Sequence, residues 1–259
     1  MSAAPSAARP FDPAVGMQLV LLLDLGVRLM IWSSSGAIVA YASIRWNMLP
    51  GAEFSDPGRW ASAWAWSQAA TTLLVLYNLV YLLELAALGL LLPRPKHGLY
   101  SLRTTRPNLN LLATCMRAVL TKARYQAPFP AFLVSNLSQI APLRWLMAVT
   151  VGPRSGSVFI ADPFIIDPHD VTIGRNVTIG FQTTIAAHLQ QRDSVELAHT
   201  TIEDDVFIGG YTAIPGGCHI RRGAMIGGCS FLKPGTVVGE NEFWAGAPAK
   251  KIKDLEPLA

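Results

Sequence analysis

The sequences TIGRNVTIGFQTTI (residues 172–185) and TIEDDVFIGGYTAIPGGCHIRRGAMIGGCSFLKPGTVV (residues 201–238) place an aliphatic residue at every sixth position. A period of six fits neither an α-helix nor a flat strand. In most repeats a small or β-branched residue follows four positions later, so the chain is expected to turn a corner every six residues. Three hexapeptides then complete one triangular coil with its large aliphatic side chains along the axis. The pattern therefore predicts a parallel β-helix. The axial residues are Ile173, Ile179, Ile185, Ile202, Ile208, Ile214, Ile220, Ile226, Leu232 and Val238.

The composition indicates a membrane component. Of the 259 residues, 51% are hydrophobic and 15% are charged, which is unusually apolar for a soluble protein of this size. The net charge is only +4, but no acidic residue lies between Glu84 and Asp162, an interval that holds nine Lys and Arg residues. A block of one charge sign beside an apolar segment indicates an anionic lipid surface rather than nucleic acid.

Two apolar stretches within residues 16–92 predict a pair of transmembrane helices, because about 20 residues suffice to cross the hydrocarbon core. The preceding residues 1–15 are rich in Ala, Pro and Ser and are predicted to be a disordered tail. The first stretch is too long for a signal peptide, so we expect it to be retained. The basic block starts at Arg94, directly after the second stretch. The positive-inside rule then places both ends of the hairpin in the cytoplasm and predicts a multi-pass inner-membrane protein with a cytoplasmic catalytic domain.

Three ionisable residues lie within these apolar stretches. Asp24 and Arg28 are four residues apart, so the two charges can meet on one helix face. They form either an internal pair, near a membrane edge or in a bundle interior, or a contact for a polar acceptor that enters from the bilayer. Glu84 is predicted to make a contact between the two helices.

Residues 93–157 are predicted to be a basic connector with interfacial helices. Residues 108–124 are amphipathic at helical period, with Leu109 and Leu112 on the apolar side and Arg117 and Arg124 on the polar side. Such a helix would lie along the lipid headgroups, or it would pack on the β-helix or on a partner subunit. Short helices are expected over residues 126–147, and the β-helix over residues 158–259.

The six-residue period fails at one place, between Ile185 and Ile202. The intervening sequence AAHLQQRDSVELAHTT (residues 186–201) is too polar to form another coil, so a loop is expected to leave the prism there. It carries His188 near its start and His199 near its end. Insertions of repeat proteins gather on one face, often the binding face.

These features resemble the hexapeptide-repeat acyltransferases with a left-handed β-helix. The resemblance rests on the repeat, on the loop that opens with AAH, and on the closing sequence FWAGAPAKKI (residues 243–252). It covers about the last hundred residues. It implies a homotrimer with active sites between neighbouring subunits, and acyl-CoA or another acyl thioester as the donor substrate, with no permanently bound cofactor.

The order of elements also resembles one branch of related proteins. Two membrane helices, HGLYSLRTTR (residues 97–106), PLRWLMAVTVGPRSGSVFI (residues 142–160) and a β-helix follow one another in the membrane-embedded C-terminal unit of poly-lysine synthetase and related terminal domains of nonribosomal peptide synthetases. That resemblance adds amide-bond formation between amino acids as an alternative activity. A trimeric scaffold without catalytic activity is a third possibility.

The resemblance assigns roles to particular residues. His188 would be the general base, which suits an imidazole whose unperturbed pKa lies near working pH. Trp244, Gly246, Lys250 and Lys251 would bind the donor, or the same segment would simply cap the last coil. His199 matches no catalytic position, and a hydrogen-bonded structural role is expected. The His and Cys residues show no ligand spacing, so no metal site is predicted. The acyl acceptor is expected to be associated with membrane lipid.

Overall fold

The computed structural model describes residues 13–46, 48, 60–102, 108–127, 131–157, 159 and 163–257. Most of the predicted disordered tail, residues 1–12, lies outside this range, as does most of the connector over residues 47–59. Helix α1 begins at Pro13, three residues before the predicted boundary. A proline suits the first turn of a helix because its missing N–H would have no partner there.

Two long apolar helices begin the chain. They are α1 (Pro13–Arg45) and α2 (Trp60–Leu91), and both are long and apolar enough to cross a membrane. The two helices pack against each other, while many of their large apolar side chains, such as Leu22, Leu29 and Leu90, are exposed. Side chains of this kind would face lipid if the helices span a bilayer.

Asp24, Arg28 and Glu84 make contacts within the helical part. Asp24 Oδ1 accepts from Arg28 Nε at 2.7 Å, and Asp24 Oδ2 accepts from Lys122 Nζ at 2.7 Å. The interpretation of Asp24 and Arg28 as an internal pair is thus favoured. Glu84 accepts hydrogen bonds from the hydroxyls of Ser34 and Ser35 at 2.9 and 2.8 Å, which confirms a contact between the helices.

Three further helices pack against this hairpin. They are α3 (Leu109–Tyr125), α4 (Ala131–Gln139) and α5 (Leu143–Thr150), so the short helices expected over residues 126–147 are present. The Asn108 side chain caps α3 by accepting from the backbone N–H of Asn110 at 2.9 Å. A second apolar core lies among these five helices. Its buried members are Ile31, Tyr81, Leu82, Leu85, Ala86, Leu120, Ala123, Val134, Met147 and Val151.

The polar side of α3 is buried against its neighbours, although the sequence predicts a basic amphipathic helix that lies along lipid headgroups or packs on the β-helix or on a partner subunit. Arg117 and Arg124 are buried, whereas Leu109 is 77% exposed. The reason lies in the backbone of the neighbouring helices. The Arg117 guanidinium donates hydrogen bonds to four carbonyl oxygens. These belong to Pro93 at 2.9 Å, Thr150 at 3.0 Å, Leu92 at 2.5 Å and Gly89 at 3.4 Å. It thereby satisfies the C-terminal ends of α2 and α5, where carbonyls lack helical partners.

The rest of the chain is a parallel β-helix, as predicted. The strands are β1 Gly98–Ser101, β2 Arg154–Ser155, β3 Phe164–Ile165, β4 Val171–Ile173, β5 Thr178–Ile179, β6 Thr184–Ile185, β7 His188–Gln190, β8 Ser194–Leu197, β9 Thr200–Ile202, β10 Phe207–Ile208, β11 Ala213–Ile214, β12 His219–Ile220, β13 Met225–Ile226, β14 Val237–Val238, β15 Glu242–Gly246 and β16 Ala249–Asp254. Three parallel sheets form the faces, in the orders β14-β12-β9-β4-β2, β15-β13-β10-β5 and β11-β6-β3.

The register of the coils follows the repeat. Ile173 lies opposite Ile202, and Ile202 lies opposite Ile220, so like positions stack along one face. All ten axial residues identified from the sequence are buried. Between them, a residue with φ between 54° and 80° recurs at the corners, three positions after an axial residue. These residues are Asn176, Gln182, Asp205, Tyr211, Gly217, Gly223, Cys229, Gly235 and Asn241. Asn, Asp and Gly are the residues that adopt this conformation at the lowest cost.

The β-helix begins earlier than predicted and contacts the helices at its first coil. Strand β2, at Arg154, already pairs with β4, four residues before the predicted boundary. The Tyr125 hydroxyl at the end of α3 donates to the Pro163 carbonyl at 2.7 Å and accepts from the Ile165 N–H at 2.8 Å. The first coil is therefore held against the helical part of the protein.

Replacing Arg117 by Met is expected to destabilise the protein by about 2–4 kcal/mol, because buried carbonyl oxygens would lose their donor. Arg175→Met is the matched control. The Arg175 side chain is 78% exposed, so its loss should change the free energy of unfolding by no more than about 0.5 kcal/mol. Denaturant unfolding of the full chain in detergent measures both. Equal effects of the two substitutions would show that Arg117 does not hold the helix ends together.

Candidate functional site

The loop predicted from the break in the repeat is a three-stranded antiparallel sheet. Strands β7 and β8 form a hairpin, and β1 pairs with β8 so that Gly98 lies opposite Leu197. The residues of β1 fall within the predicted basic connector. Strand β1 starts seven residues after the end of α2, so a short segment links the apolar hairpin to the loop.

His188 lies at the base of this hairpin and faces Asp167. Its Nδ1 contacts Asp167 Oδ2 in a short hydrogen bond, and Asp167 is almost fully buried. The His188 side chain is 28% exposed, so the imidazole sits between the carboxylate and solvent. Among the described residues, no group hydrogen-bonds its Nε2. The ring nitrogen opposite the carboxylate is therefore open to a substrate.

The backbone around His188 is fixed by the neighbouring coil. The Ala198 N–H donates to the Ala187 carbonyl at 2.9 Å, and the Thr200 hydroxyl donates to the Ala186 carbonyl at 2.8 Å. A Cβ on Gly216 would lie 3.0 Å from the His188 backbone nitrogen, so a glycine allows close approach of the loop there. These contacts hold the imidazole in one position next to Asp167.

The Asp167 carboxylate orients the His188 imidazole and changes its pKa. The hydrogen bond that His188 donates to Asp167 raises the pKa of His188, and burial opposes this increase to a smaller extent. In the neutral ring, the carboxylate holds the proton on Nδ1 and leaves a lone pair on Nε2. An imidazole oriented in this way can accept a proton at Nε2, and the buried carboxylate stabilises the imidazolium that forms.

A second cluster lies beside this pair. It contains His97, just before β1, Asp170, in the 3₁₀ turn Pro168–Asp170, and His199, between β8 and β9. His97 Nε2 is 3.2 Å from Asp170 Oδ1. His199 Nε2 is 3.0 Å from the Thr172 hydroxyl, in accord with the hydrogen-bonded role expected for this histidine. Burial lowers the pKa of His199, which keeps the ring neutral at neutral pH.

A third histidine–carboxylate pair lies on the sheet that contains β9 and β12. His219 Nε2 is 2.6 Å from Glu203 Oε1, and both side chains are more than one-third exposed. Glu203 also accepts from the Arg222 backbone N–H at 3.0 Å. This pair provides an internal comparison for the buried pair of Asp167 and His188.

The residues assigned to donor binding form the last hairpin, of β15 and β16. Trp244 lies opposite Ile226 in the stack and packs partly on the core, and its indole N–H donates to Glu242 at 2.8 Å. Lys251 contacts both Glu242 and Asp254 at 2.7 Å. Lys250 and Gly246 are exposed, and Gly246 has a φ of 100° that favours glycine.

His188 is a candidate base on sequence grounds, whereas its partner Asp167 is visible only in the structure. Asp167 lies 21 residues earlier, in the preceding coil, and no local pattern marks it as a partner. The one available signal was the sequence DPHD (residues 167–170), where a polar turn stands before the regular repeats begin. The sequence also places Trp244, Gly246, Lys250 and Lys251 in one hairpin, well away from His188 along the chain.

A family model supports the repeat. The model for the bacterial transferase hexapeptide, described as six repeats, matches residues 199–234. That match covers the coils that follow the loop.

Two curated proteins are similar in sequence. YvoF of Bacillus subtilis (strain 168), classed as an acetyltransferase, is 27% identical over 135 residues, which make up 49% of this chain and 77% of that protein. Delta-poly-L-ornithine synthetase of Acinetobacter baumannii (strain AB307-0294) is 26% identical over 140 residues, or 51% of this chain. The chain spans only 10% of the length of that synthetase.

One solved structure that matches part of the chain is a hexapeptide-repeat acetyltransferase from Vibrio cholerae O1 biovar eltor, determined in complex with acetyl-coenzyme A. It is 18% identical, and the match covers 57% of this chain and 90% of that chain with a TM-score of 0.38. The repeat and the similar sequences show that the chain resembles the hexapeptide-repeat acyltransferases. Over about half its length it also resembles a part of a poly-amino-acid synthetase.

Proposed function

We propose that this protein transfers an acyl group from acyl-CoA, or from another acyl thioester, to a hydroxyl or amine of a membrane-associated acceptor. The observation that carries the proposal is the pair of Asp167 and His188, which lies at the one break in an acyltransferase-like repeat. The ring nitrogen His188 Nε2 has no protein partner among the described residues, so it is available to a substrate.

The reaction follows from this geometry. His188 Nε2 accepts the proton of the acceptor O–H or N–H while the acceptor oxygen or nitrogen attacks the thioester carbonyl. The tetrahedral intermediate collapses with cleavage of the C–S bond, and the leaving thiolate takes the proton from the His188 imidazolium. Asp167 stabilises the charged ring between the two transfers. Because the thioester is already activated, positioning of the two substrates supplies much of the remaining acceleration.

The arrangement of the helices supports an acceptor that reaches the site from a membrane. We propose that α1 and α2 form a transmembrane hairpin in the inner membrane, with the β-helix on the cytoplasmic side. The first coil, which holds Asp167, contacts α3 through Tyr125, and β1 joins the loop of His188 soon after α2 ends. An acceptor anchored in lipid would then need to reach only the coil nearest the bilayer.

The donor is proposed to bind at the last hairpin of a neighbouring subunit. We propose a homotrimer of left-handed β-helices, because the hairpin of β15 and β16 closes the last coil, whereas His188 lies near the first coils. Gly246 allows the donor to approach the backbone, and Trp244 retains partial exposure for contact with the pantetheine or adenine group. Lys251 is already neutralised by two carboxylates, so Lys250 is the better contact for CoA phosphates.

A second candidate function is amide-bond formation between amino acids. The observation that favours it is the similarity to 140 residues of delta-poly-L-ornithine synthetase. The same base would serve, because an amine acceptor would then attack an aminoacyl thioester. Assays with acyl-CoA and with carrier-bound aminoacyl thioesters distinguish the two reactions. A non-catalytic trimeric scaffold would transfer from neither donor to any membrane extract.

Substitution of His188 by Ala is expected to lower acyl transfer by about 10²–10⁴-fold, the usual contribution of a general base. The assay uses the full chain in lipid nanodiscs with a membrane lipid extract and labelled acetyl-CoA. It measures both free thiol and label in the lipid fraction. His219→Ala removes the ring of the exposed pair and should leave the rate unchanged. A trimeric His188→Ala variant with full activity would exclude His188 as the base.

The pH dependence of transfer should report the His188–Asp167 pair. His188 must be neutral to accept a proton, so activity should fall as the pH drops through its raised pKa, above the ordinary value of about 6.5. Asp167→Asn removes the interaction that raises the pKa, so the acidic limb should move to lower pH while the maximal rate falls. Profiles of kcat/KM against pH measure both. Glu203→Gln is the matched control, and a limb that responds equally to both substitutions would contradict the assignment.

Substitution of Lys250 by Ala is expected to raise the KM for acyl-CoA by about tenfold with little change in kcat, because a phosphate contact contributes about 1 kcal/mol or slightly more. Lys251→Ala should have a smaller effect, since that ammonium group is occupied by Glu242 and Asp254. Initial rates at varied acyl-CoA concentration measure both values. A larger effect of Lys251→Ala than of Lys250→Ala would place the phosphates elsewhere.

A further inference from the structure

We propose that His97, Asp170 and His199 form a binding site for one divalent transition-metal ion of the zinc type. One possible ligand atom from each of these residues lies within 4.8 Å of the other two. His97 Nε2 and Asp170 Oδ1 are already 3.2 Å apart. Two ligands of a tetrahedral zinc ion, each about 2.0–2.1 Å from the metal, stand about 3.3 Å from one another. Small side-chain movements therefore suffice to close the site around an ion.

The chemistry of the three ligands selects the ion. Two imidazoles and one carboxylate suit zinc, cobalt or nickel better than magnesium or calcium, which prefer an all-oxygen set. Three protein ligands leave the fourth tetrahedral position open, and such a position holds a water molecule or a substrate oxygen. The His97 side chain is 51% exposed, so the open side of the site faces solvent.

The groups behind the ligands support this assignment independently. Asp170 Oδ2 is 3.5 Å from Nε2 of His169, whose side chain is almost completely buried. That nitrogen is buried and has no hydrogen-bond partner among the described residues. A buried polar atom without a partner calls for an explanation, and a metal-bound carboxylate needs an outer partner to fix its orientation. His169 is placed to serve as that partner, and the Thr172 hydroxyl orients the ring of His199 in the same way.

The charges around the cluster set its expected affinity and its ligand. Asp167 adds negative charge from the same turn, while Arg94, Arg117 and Arg154 are near enough to act on His169 or His199. The arginines weaken the binding of a cation, so an affinity below that of structural zinc sites is expected. They also favour an anionic oxygen at the open position, such as a substrate carboxylate or phosphate.

The site would connect three parts of the protein. His97 belongs to the segment after α2, Asp170 to the first coil and His199 to the end of the loop hairpin. An ion bound to all three would fix the hairpin that carries His188 relative to the coil that carries Asp167. Because Asp167 and Asp170 lie in one short turn, the ion would be held by the same turn that carries the partner of the proposed base.

The test measures metal binding directly and does not depend on acyl transfer. The full chain is purified in detergent with its affinity tag removed, treated with chelator and titrated with Zn²⁺ and with Co²⁺. We expect one ion per chain, visible absorption of tetrahedral Co²⁺, and a higher melting temperature with Zn²⁺. His97→Gln and His199→Gln should each weaken binding by at least about tenfold.

Two matched variants complete the test. His219→Gln removes a carboxylate-paired histidine outside the cluster, and His188→Ala removes the proposed base, and both should bind the ion as the unmodified protein does. Less than one ion per chain at saturating Zn²⁺ would overturn the proposal. So would binding that His97→Gln and His199→Gln leave unchanged. Metal binding without acyl transfer would instead contradict only the function proposed above.

Discussion

The register of the coils is the constraint on which the rest of the structure depends. An aliphatic side chain must point to the axis at every sixth position, and a residue with positive φ must turn the chain three positions later. Each coil forms its backbone hydrogen bonds with its neighbours, as in the pairing of Ile173 with Ile202. A coil that lost this register would leave both its axial side chain and its backbone groups without partners.

The loop follows from the same constraint. Ile185 and Ile202 are 17 positions apart rather than six, so the extra chain cannot remain in the wall of the prism. It leaves as the hairpin of β7 and β8 and returns in register at β9. His188 stands where the chain leaves and His199 where it returns, and both therefore lie over the turn that holds Asp167 and Asp170. The histidines are brought to the carboxylates because the insertion begins after β6, on one sheet, and ends before β9, on another sheet, so both of its ends lie at one corner of the prism.

The junction between the helices and the β-helix depends on polar groups. The buried Arg117 side chain is held by hydrogen bonds to four carbonyl oxygens at helix ends. Those carbonyls carry the negative end of the helix dipoles, which compensates in part for burial of the charge. Together with Tyr125, this residue connects the apolar hairpin to the coil that carries the site. The apolar hairpin and the coil that carries Asp167 are therefore joined in one continuous part of the molecule.

The sequence by itself determined the β-helix, the position of its interruption and the two long apolar helices, because each depends on a local period, and a family resemblance marked His188 as a candidate base. Only the tertiary structure decided which side chains meet across coils. Asp167 is 21 residues from His188, and His97 is 73 residues from Asp170. The burial of Arg117 was also hidden, since helical period marks a side as polar but not whether helix ends lie against it. Partners of this kind are chosen by the stacking of coils and the packing of helices, which no short stretch of sequence records.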